Sequence, residues 1–318
     1  MREGEWRLPF PVDVRLTLGV QGRGRSDPTF KTDEAGAIWR TSLTPDGPGT
    51  IRVLYGRPPG PRPTETTEPT ETLVRAQAWG PGAEWLLGAL PGVLGADDDP
   101  AGFDTTDVHP TIRDSAARHP GLRLGRTGLL MEALVPAILE QKVLTIEAHR
   151  AWRILLGKFG LEPPGPVPPG MRVFPPPATW RRIPTWEWHR AGVEAVRART
   201  VIIAASVAGS LERLLKLSHE EADRKLRTLP GIGVWTSAEA RQRAAGDPDA
   251  VSVGDAHLKN SVGWALAGRE RSTDDEMLEL LEPYKGQRYR AVRFILLSGR
   301  AGAPRRAPKF PVRDYRAF

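Results

Sequence analysis

Two short stretches of this chain combine residue types and spacings that suit a reactive site. The first is Leu229-Pro230-Gly231-Ile232-Gly233, at the end of a segment that carries Ala222, Leu226 and Leu229 at helical spacing. Two glycines around one apolar residue make a tight turn whose backbone N–H groups point outward. A second helical segment begins at once with Val234-Trp235-Thr236, so its free N-terminal amides and positive dipole end sit beside the glycines. That arrangement suits one phosphate of a nucleic-acid backbone and reads no bases. The same pattern also describes a plain Gly-stopped helix–turn–helix. The second stretch is Val251-Ser252-Val253-Gly254-Asp255, whose Asp lies 20 residues beyond Trp235. An Asp at a helix start is commonly an N-cap and nothing more. The amides and dipole there also stabilise a negative charge, so a carboxylate so placed is suited to steady a cation developing next to it.

These stretches need a frame. Residues 1–105 read as strand-rich. Apolar and polar residues alternate over 12–18, which predicts a half-buried strand. Gly22 to Ser26 is a turn, and strand-like pieces follow at 37–41, 51–55 and 73–79. The Pro/Thr/Glu segment 56–71 is a loop, and a short helix is expected over 83–90. From 106 to 318 the pattern is helical. Residues 129–159 hold two helices, and 161–179, with eight prolines, form an extended connector. Helices are expected over 186–208, 211–217, 218–228, 234–245, 256–267, 273–281 and 288–297. Ser218 with Glu221, and Thr273 with Glu276, have capping-box spacing. The expected architecture is α+β: an N-terminal α+β domain over 1–105, then an all-α domain over 106–318 with a basic C-terminal tail.

Composition narrows the partners. At 318 residues and 34.9 kDa the chain has room for roughly two domains. With 40% hydrophobic and 26% charged residues it has the balance of a globular protein. No stretch approaches the ~18 apolar residues of a membrane span, and residues 1–10 lack the apolar region of a secretory leader. Zero cysteines exclude disulfides, zinc–thiolate sites, iron–sulfur clusters and a thiol nucleophile. The expectation is a cytoplasmic, nucleoid-associated monomer with no membrane contact. Net charge is +7, yet residues 285–318 alone carry ten Lys or Arg against one Asp. The rest of the chain sums to −2, and so concentrated a basic excess suits a polyanion.

Leu229-Pro230-Gly231-Ile232-Gly233-Val234-Trp235-Thr236, followed at that spacing by Val251-Ser252-Val253-Gly254-Asp255, resembles the helix–hairpin–helix Gly/Pro/Asp superfamily of DNA glycosylases. Within it the similarity is to the 3-methyladenine DNA glycosylase II branch. Pro120-Gly121-Leu122-Arg123 leading into Ala137-Ile138-Leu139-Glu140-Gln141 resembles that branch's entry to its helical domain. Pro283-Tyr284-Lys285-Gly286-Gln287-Arg288 resembles its C-terminal helix. The resemblance covers most of the chain, strongest over 218–268, and implies a mostly α-helical core with a small N-terminal antiparallel β-sheet/α domain.

By that resemblance the chain is a monofunctional DNA glycosylase of base excision repair. It would flip an alkylated, 3-methyladenine-like purine out of double-stranded DNA and hydrolyse its N-glycosidic bond. Asp255 is then the catalytic carboxylate that stabilises an oxocarbenium-like transition state. Trp235 occupies the position where bifunctional members carry a Schiff-base lysine, which implies no β-lyase activity. Trp235 and Glu239 would line the base pocket, with Glu239 where the branch often has an aromatic. Gln141 and Lys142 fall in the DNA-inserting wedge, and where some relatives have an aromatic pair in the C-terminal helix, Phe294-Ile295-Leu296-Leu297 offers only Phe294. Gly231, Ile232, Gly233, Thr236 and Lys259 would meet phosphates, with His257 beside them. Arg288, Arg290 and Arg293 would face DNA, and Arg305, Arg306 and Lys309 would lie in a tail. No cofactor is required, although the backbone carbonyls of Arg227, Leu229 and Ile232 match those that hold a structural monovalent cation in relatives. Two alternatives remain: a non-catalytic lesion- or DNA-binding protein on the same scaffold, and a lyase, which needs a Lys near the hairpin, where the nearest, Lys225, precedes it.

Overall fold

The computed structural model describes residues 1–56 and 71–302. Most of the Pro/Thr/Glu loop, and the tail with Arg305, Arg306 and Lys309, lie outside the described residues.

Five strands, β1 (Arg2–Leu8), β2 (Phe30–Thr32), β3 (Ile38–Thr44), β4 (Gly47–Tyr55) and β5 (Thr72–Trp79), form an antiparallel sheet in the order β1-β5-β4-β3-β2. Two helices, α1 (Val14–Gly19) and α2 (Ala83–Val93), share its core. Leu86, Leu90 and Val93 recur at i, i+4 and i+7 on α2 and pack with the inward residues Ile51, Val53, Val74, Ala76 and Ala78. Residues 12–18 correct the sequence reading: they are not a strand. The Asp13 side chain accepts the Leu16 N–H at 2.9 Å and caps α1, and Val14, Thr17 and Leu18 are its buried face. The alternation was real, but the polar Thr17 belongs to the buried stripe, which gives helical spacing. Strand β1 was not anticipated because it is an edge strand whose only apolar side chains, Trp6 and Leu8, come near its end, after a charged start. Cross-strand pairs hold its outer face, Glu5 with Arg75 at 2.6 Å and Glu3 with Gln77 at 2.8 Å.

Twelve further helices follow among the described residues: α3 (Pro110–Arg118), α4 (Leu130–Leu139), α5 (Thr145–Phe159), α6 (Pro177–Arg182), α7 (Thr185–Ala191), α8 (Ala195–Ser206), α9 (Ala208–Glu212), α10 (His219–Leu226), α11 (Val234–Ala244), α12 (Leu258–Ala267), α13 (Asp274–Leu281) and α14 (Arg288–Leu297). The single helix expected over 186–208 is two, because Gly192 at φ 82° stops α7 in a left-handed cap. Both Ser218 and Thr273 cap their helices as their spacing predicts. The helices divide between two apolar cores. One gathers α4, α5 and α8 with Leu226, Ile232, Ala240 and Ala244 of the hairpin region. The other gathers Ile112, Val251, Leu258, Met277, Leu281 and Ile295.

Buried charge joins the sheet to the helices. Glu132 of α4 accepts the Leu43 N–H at 2.7 Å and pairs with Arg40 at 3.0 Å. Asp27, fully buried, accepts the Trp152 indole N–H of α5 at 2.9 Å. Arg23 reaches Glu140 at 2.9 Å, and His149 stands 3.6 Å from the same carboxylate. Across the back, the Pro-rich connector crosses from α5 to the sheet and returns. Leu161 bridges Val173, the Thr41 hydroxyl donates to the Arg172 carbonyl at 2.6 Å, and Gly165 packs so close on Trp79 that a Cβ would stand 2.5 Å from the indole.

Burial alone would raise the Glu140 carboxyl, but Arg23 and His149 outweigh it and hold it at about 2 instead of 4.5. A value depressed by folding contributes stability above pH 4.5 that fades as pH falls toward 2. Glu140→Gln should therefore lose about 2–4 kcal/mol at pH 7, since it also leaves Arg23 buried without its partner. Urea unfolding at pH 7 and pH 3 should show the gap to wild type narrowing at the lower pH.

Candidate active site

Helix α10 runs into the turn 227–233 and out into α11. Ile232 is the turn's buried anchor, with its N–H on the Leu229 carbonyl at 3.0 Å. The two glycines have different reasons. Gly231 sits at φ +86° with a Cβ position 2.2 Å from the Thr200 hydroxyl of α8, so both backbone and close approach exclude a side chain. Gly233 has ordinary extended angles, φ −100° and ψ −175°, and a Cβ there would meet nothing within 4 Å. Neither fold nor conformation requires that glycine; what it provides is open space above the start of α11. No side chain caps α11, and Gly233 and Val234 are exposed. The first amides of α11 are thus presented outward, as an anion site requires.

Asp255 terminates the loop that carries the chain from α11 into the second helical core. Its Oδ1 accepts the N–H of His257 at 2.7 Å and of Leu258 at 2.8 Å, so it does cap α12. Its Oδ2 accepts the Trp235 indole N–H at 3.3 Å, across from the first turn of α11. The two stretches singled out by sequence therefore meet at this contact. Both residues are half-buried, and the cap reading and the site reading describe one carboxylate. The loop itself is clamped on both sides. Gln242 donates to the Ala250 carbonyl at 2.8 Å and the Ser252 hydroxyl at 3.0 Å. Arg241 pairs with Asp247, and Arg288 of α14 holds Asp249 through its side chain and, at 3.0 Å, its backbone N–H. Asp274 of α13 accepts the Gly254 N–H at 3.0 Å.

Other predicted site residues are placed differently. Glu239 does not open into a pocket: Arg243 takes one carboxylate oxygen at 2.7 Å and the Ser252 hydroxyl the other at 2.6 Å. Gln141 is no projecting wedge. Its amide donates to the Gly231 carbonyl and to the Thr236 hydroxyl, both at 2.8 Å, and so braces the hairpin from the α4 side. Lys142 is exposed, at φ 55°, the single non-glycine residue with positive φ among those described. Thr236 is buried with its hydroxyl on Gln141, so it supports the turn rather than facing solvent. Lys259 pairs with Asp274 at 3.2 Å, and His257 is exposed. Arg290 and Arg293 point inward and are buried, Arg290 against Asp98, while Arg288 is spent on Asp249. Phe294 packs in the core 5.8 Å from Phe103. Glu239, Gln141, Thr236, Lys259, Arg288 and Arg290 share a cause: each side chain meets a partner at least 13 residues away in sequence. Gln242, Arg243 and Asp274 were missed for the same reason, although Ser252 lay inside the motif.

No protein-family model matches the chain. A DNA-3-methyladenine glycosylase of Bacillus subtilis is 25% identical over 189 residues, 58% of this chain and 61% of that protein. A probable bifunctional transcriptional activator/DNA repair enzyme AlkA of Mycobacterium tuberculosis is 27% identical over 52% of this chain and 34% of that one. The chain thus spans between a third and three fifths of the length of these relatives. Among solved structures, the 3-methyladenine DNA-glycosylase of Archaeoglobus fulgidus superposes with a TM-score of 0.75 over 94% of this chain and all of that one, at 18% identity. The 8-oxoguanine glycosylase/lyase of Clostridium acetobutylicum, in complex with DNA, gives 0.65 over 91% and 92%, at 12% identity. The α+β fold is that of these solved glycosylases, and the expected similarity to 3-methyladenine DNA glycosylases is borne out by the relatives.

The contrast between the glycines is testable. Gly231→Ala should destabilise the protein by about 1–3 kcal/mol through strain and the Thr200 clash, whereas Gly233→Ala should stay within about 1 kcal/mol. Thermal or urea unfolding of the two variants distinguishes them.

Proposed function

We propose that this chain is a monofunctional DNA glycosylase that excises an alkylated purine of the 3-methyladenine type from double-stranded DNA. The observation that carries the reading is the Asp255 carboxylate, fixed by the His257 and Leu258 amides at the start of α12 and set 3.3 Å from the Trp235 indole nitrogen beside the uncapped start of α11.

The hairpin is the grip on the DNA. A phosphate at the amides that follow Gly233 gains charge-assisted hydrogen bonds and the helix dipole, with no dependence on sequence. The carbonyls of Arg227, Leu229 and Ile232 are hard oxygen donors in one turn, and Leu229 keeps a lone pair beyond its bond to Ile232. Oxygens of this type bind a monovalent cation, which would add positive charge next to the phosphate site. Lys142, exposed at the tip between α4 and α5 beside the braced Gln141, is the side chain of the proposed wedge that is free to enter the duplex. The mobile base would be unstacked at a cost of a few kcal/mol, least for a damaged one.

Chemistry at Asp255 follows from charge. As the bond between the deoxyribose C1′ and the purine nitrogen lengthens, its electron pair leaves with the base and positive charge grows on the sugar. A carboxylate whose Oδ1 is already fixed by amides needs no reorganisation to stabilise that charge. Its remaining capacity at Oδ2 orients a water, which adds its oxygen to C1′ and passes a proton to the carboxylate and on to solvent. An alkylated purine carries its own positive charge, so it leaves as a neutral base without a dedicated acid. Trp235 offers an indole face for such an electron-poor ring. With Trp in that place no amine is available to form a Schiff base, so the abasic strand stays intact.

Asp255→Asn should reduce release of methylated purines from alkylated duplex DNA by about 10²–10³-fold or more, with DNA affinity within a fewfold of wild type. Chromatography of freed bases and a binding titration measure the two. Wild-type protein should leave the phosphodiester backbone unbroken at the abasic product. Binding without release by wild type on methylated DNA would point instead to the non-catalytic alternative.

A further inference from the structure

Glu239 occupies a position expected to face the base, yet its carboxylate is turned away and fully engaged. Following its partners leads back to Asp255. The turn that presents Asp255 starts at Ser252, whose carbonyl accepts the Asp255 N–H at 3.2 Å. Gly254, at φ +90° in the third position of that turn, makes the tight reversal possible. The Ser252 side chain is buried and donates to Glu239 Oε1 at 2.6 Å while accepting from Gln242 at 3.0 Å. Glu239 cannot swing to follow a moving Ser252. Its Oε2 is held at 2.7 Å by Arg243, and Arg243 donates in turn to the Val20 carbonyl of the N-terminal unit at 3.1 Å. One turn earlier on the same helix, Trp235 bonds the far end of the turn at Asp255 Oδ2. A single rigid element, α11, therefore grips the catalytic turn at both ends, and the N-terminal unit fixes that grip.

We infer that Glu239 is a positioning residue. Through the Ser252 hydroxyl it sets where the Asp255 carboxylate stands relative to Trp235, and Arg243 locks it in place. Its place in catalysis rests on the glycosylase reading above; its control of the Asp255–Trp235 contact does not.

The test uses the full chain with tryptophan indoles labelled with ¹⁵N. The Trp235 indole resonance is identified by its loss in Trp235→Phe, and Asp255→Asn marks the shift produced when its acceptor changes. Ser252→Ala removes the link and leaves the Glu239–Arg243 pair. It should move the Trp235 resonance toward its Asp255→Asn position and slow single-turnover excision about ten- to a hundredfold, with DNA affinity unchanged within about twofold. Ser252→Thr, which keeps the hydroxyl, should restore both. Glu239→Gln keeps an acceptor but loses the lock and should shift the resonance in the same direction by less; it serves if Ser252→Ala does not fold. A Trp235 resonance unmoved in both variants overturns the inference, as does a rate loss matched by an equal loss of DNA affinity. Absence of base release by wild type would sink the glycosylase reading alone, and the resonance would still decide the positioning role.

Discussion

The bond between the Asp255 carboxylate and the first amides of α12 is local, but it is useful only because the loop before it is held still. Residues 246–254 have no regular structure of their own, and loops left to themselves are the mobile parts of a protein. Here Arg241 and Gln242 of α11 hold one side, Arg288 of α14 the other, and Asp274 of α13 the Gly254 amide. The two helices α11 and α14 contribute to different apolar cores. The carboxylate thus stands at a seam between two packed bodies, each rigid through burial, with the loop pinned to both. Precise placement of an anion at a seam lets a substrate enter from outside while its counterpart charges remain built in.

Much of this was legible in the chain. The hairpin was readable because its determinants are local: a helical stripe that stops, two glycines, and a helix that restarts. Asp255 was readable because its spacing from Trp235 matched a known pattern, and its partners His257 and Leu258 follow it directly. What could not be read were roles set by distant partners. Arg290 looks like one more basic residue of a DNA-facing stretch until Asp98 is found beside it. Thr236 and Gln141 each read as DNA contacts, and each satisfies the other. Residues 12–18 show a subtler failure, since a short segment fits period two and period 3.6 about equally well, and the Asp13 cap decided it.

Charge is distributed with a division of labour. Arg23, Arg40, Arg243 and Arg290 are spent inside the protein on carboxylates, where desolvation makes each pair a rigid, geometrically demanding joint. A count of Lys and Arg therefore overstates what is available to a polyanion, while the net charge, in which each such pair cancels, is unchanged. The grip on DNA proposed here relies less on side-chain charge than on backbone amides at α11, which cannot be titrated and do not need ordering.

The Pro-rich connector has a consequence for how this protein is made. Trp79, which stacks on Trp39, is packed by Gly165, and the neighbouring Gly80 by Pro164, residues that lie some 85 further along the chain. At a synthesis rate of about 5–20 residues per second, the nascent sheet leaves the ribosome several seconds before these residues exist. The Trp79 ring lacks this packing for that interval, and the unit reaches its final state only after more than half of the chain has been translated. The N-terminal sheet and the helical body are joined in time as well as in space: the order of translation makes the first-formed unit wait for the second.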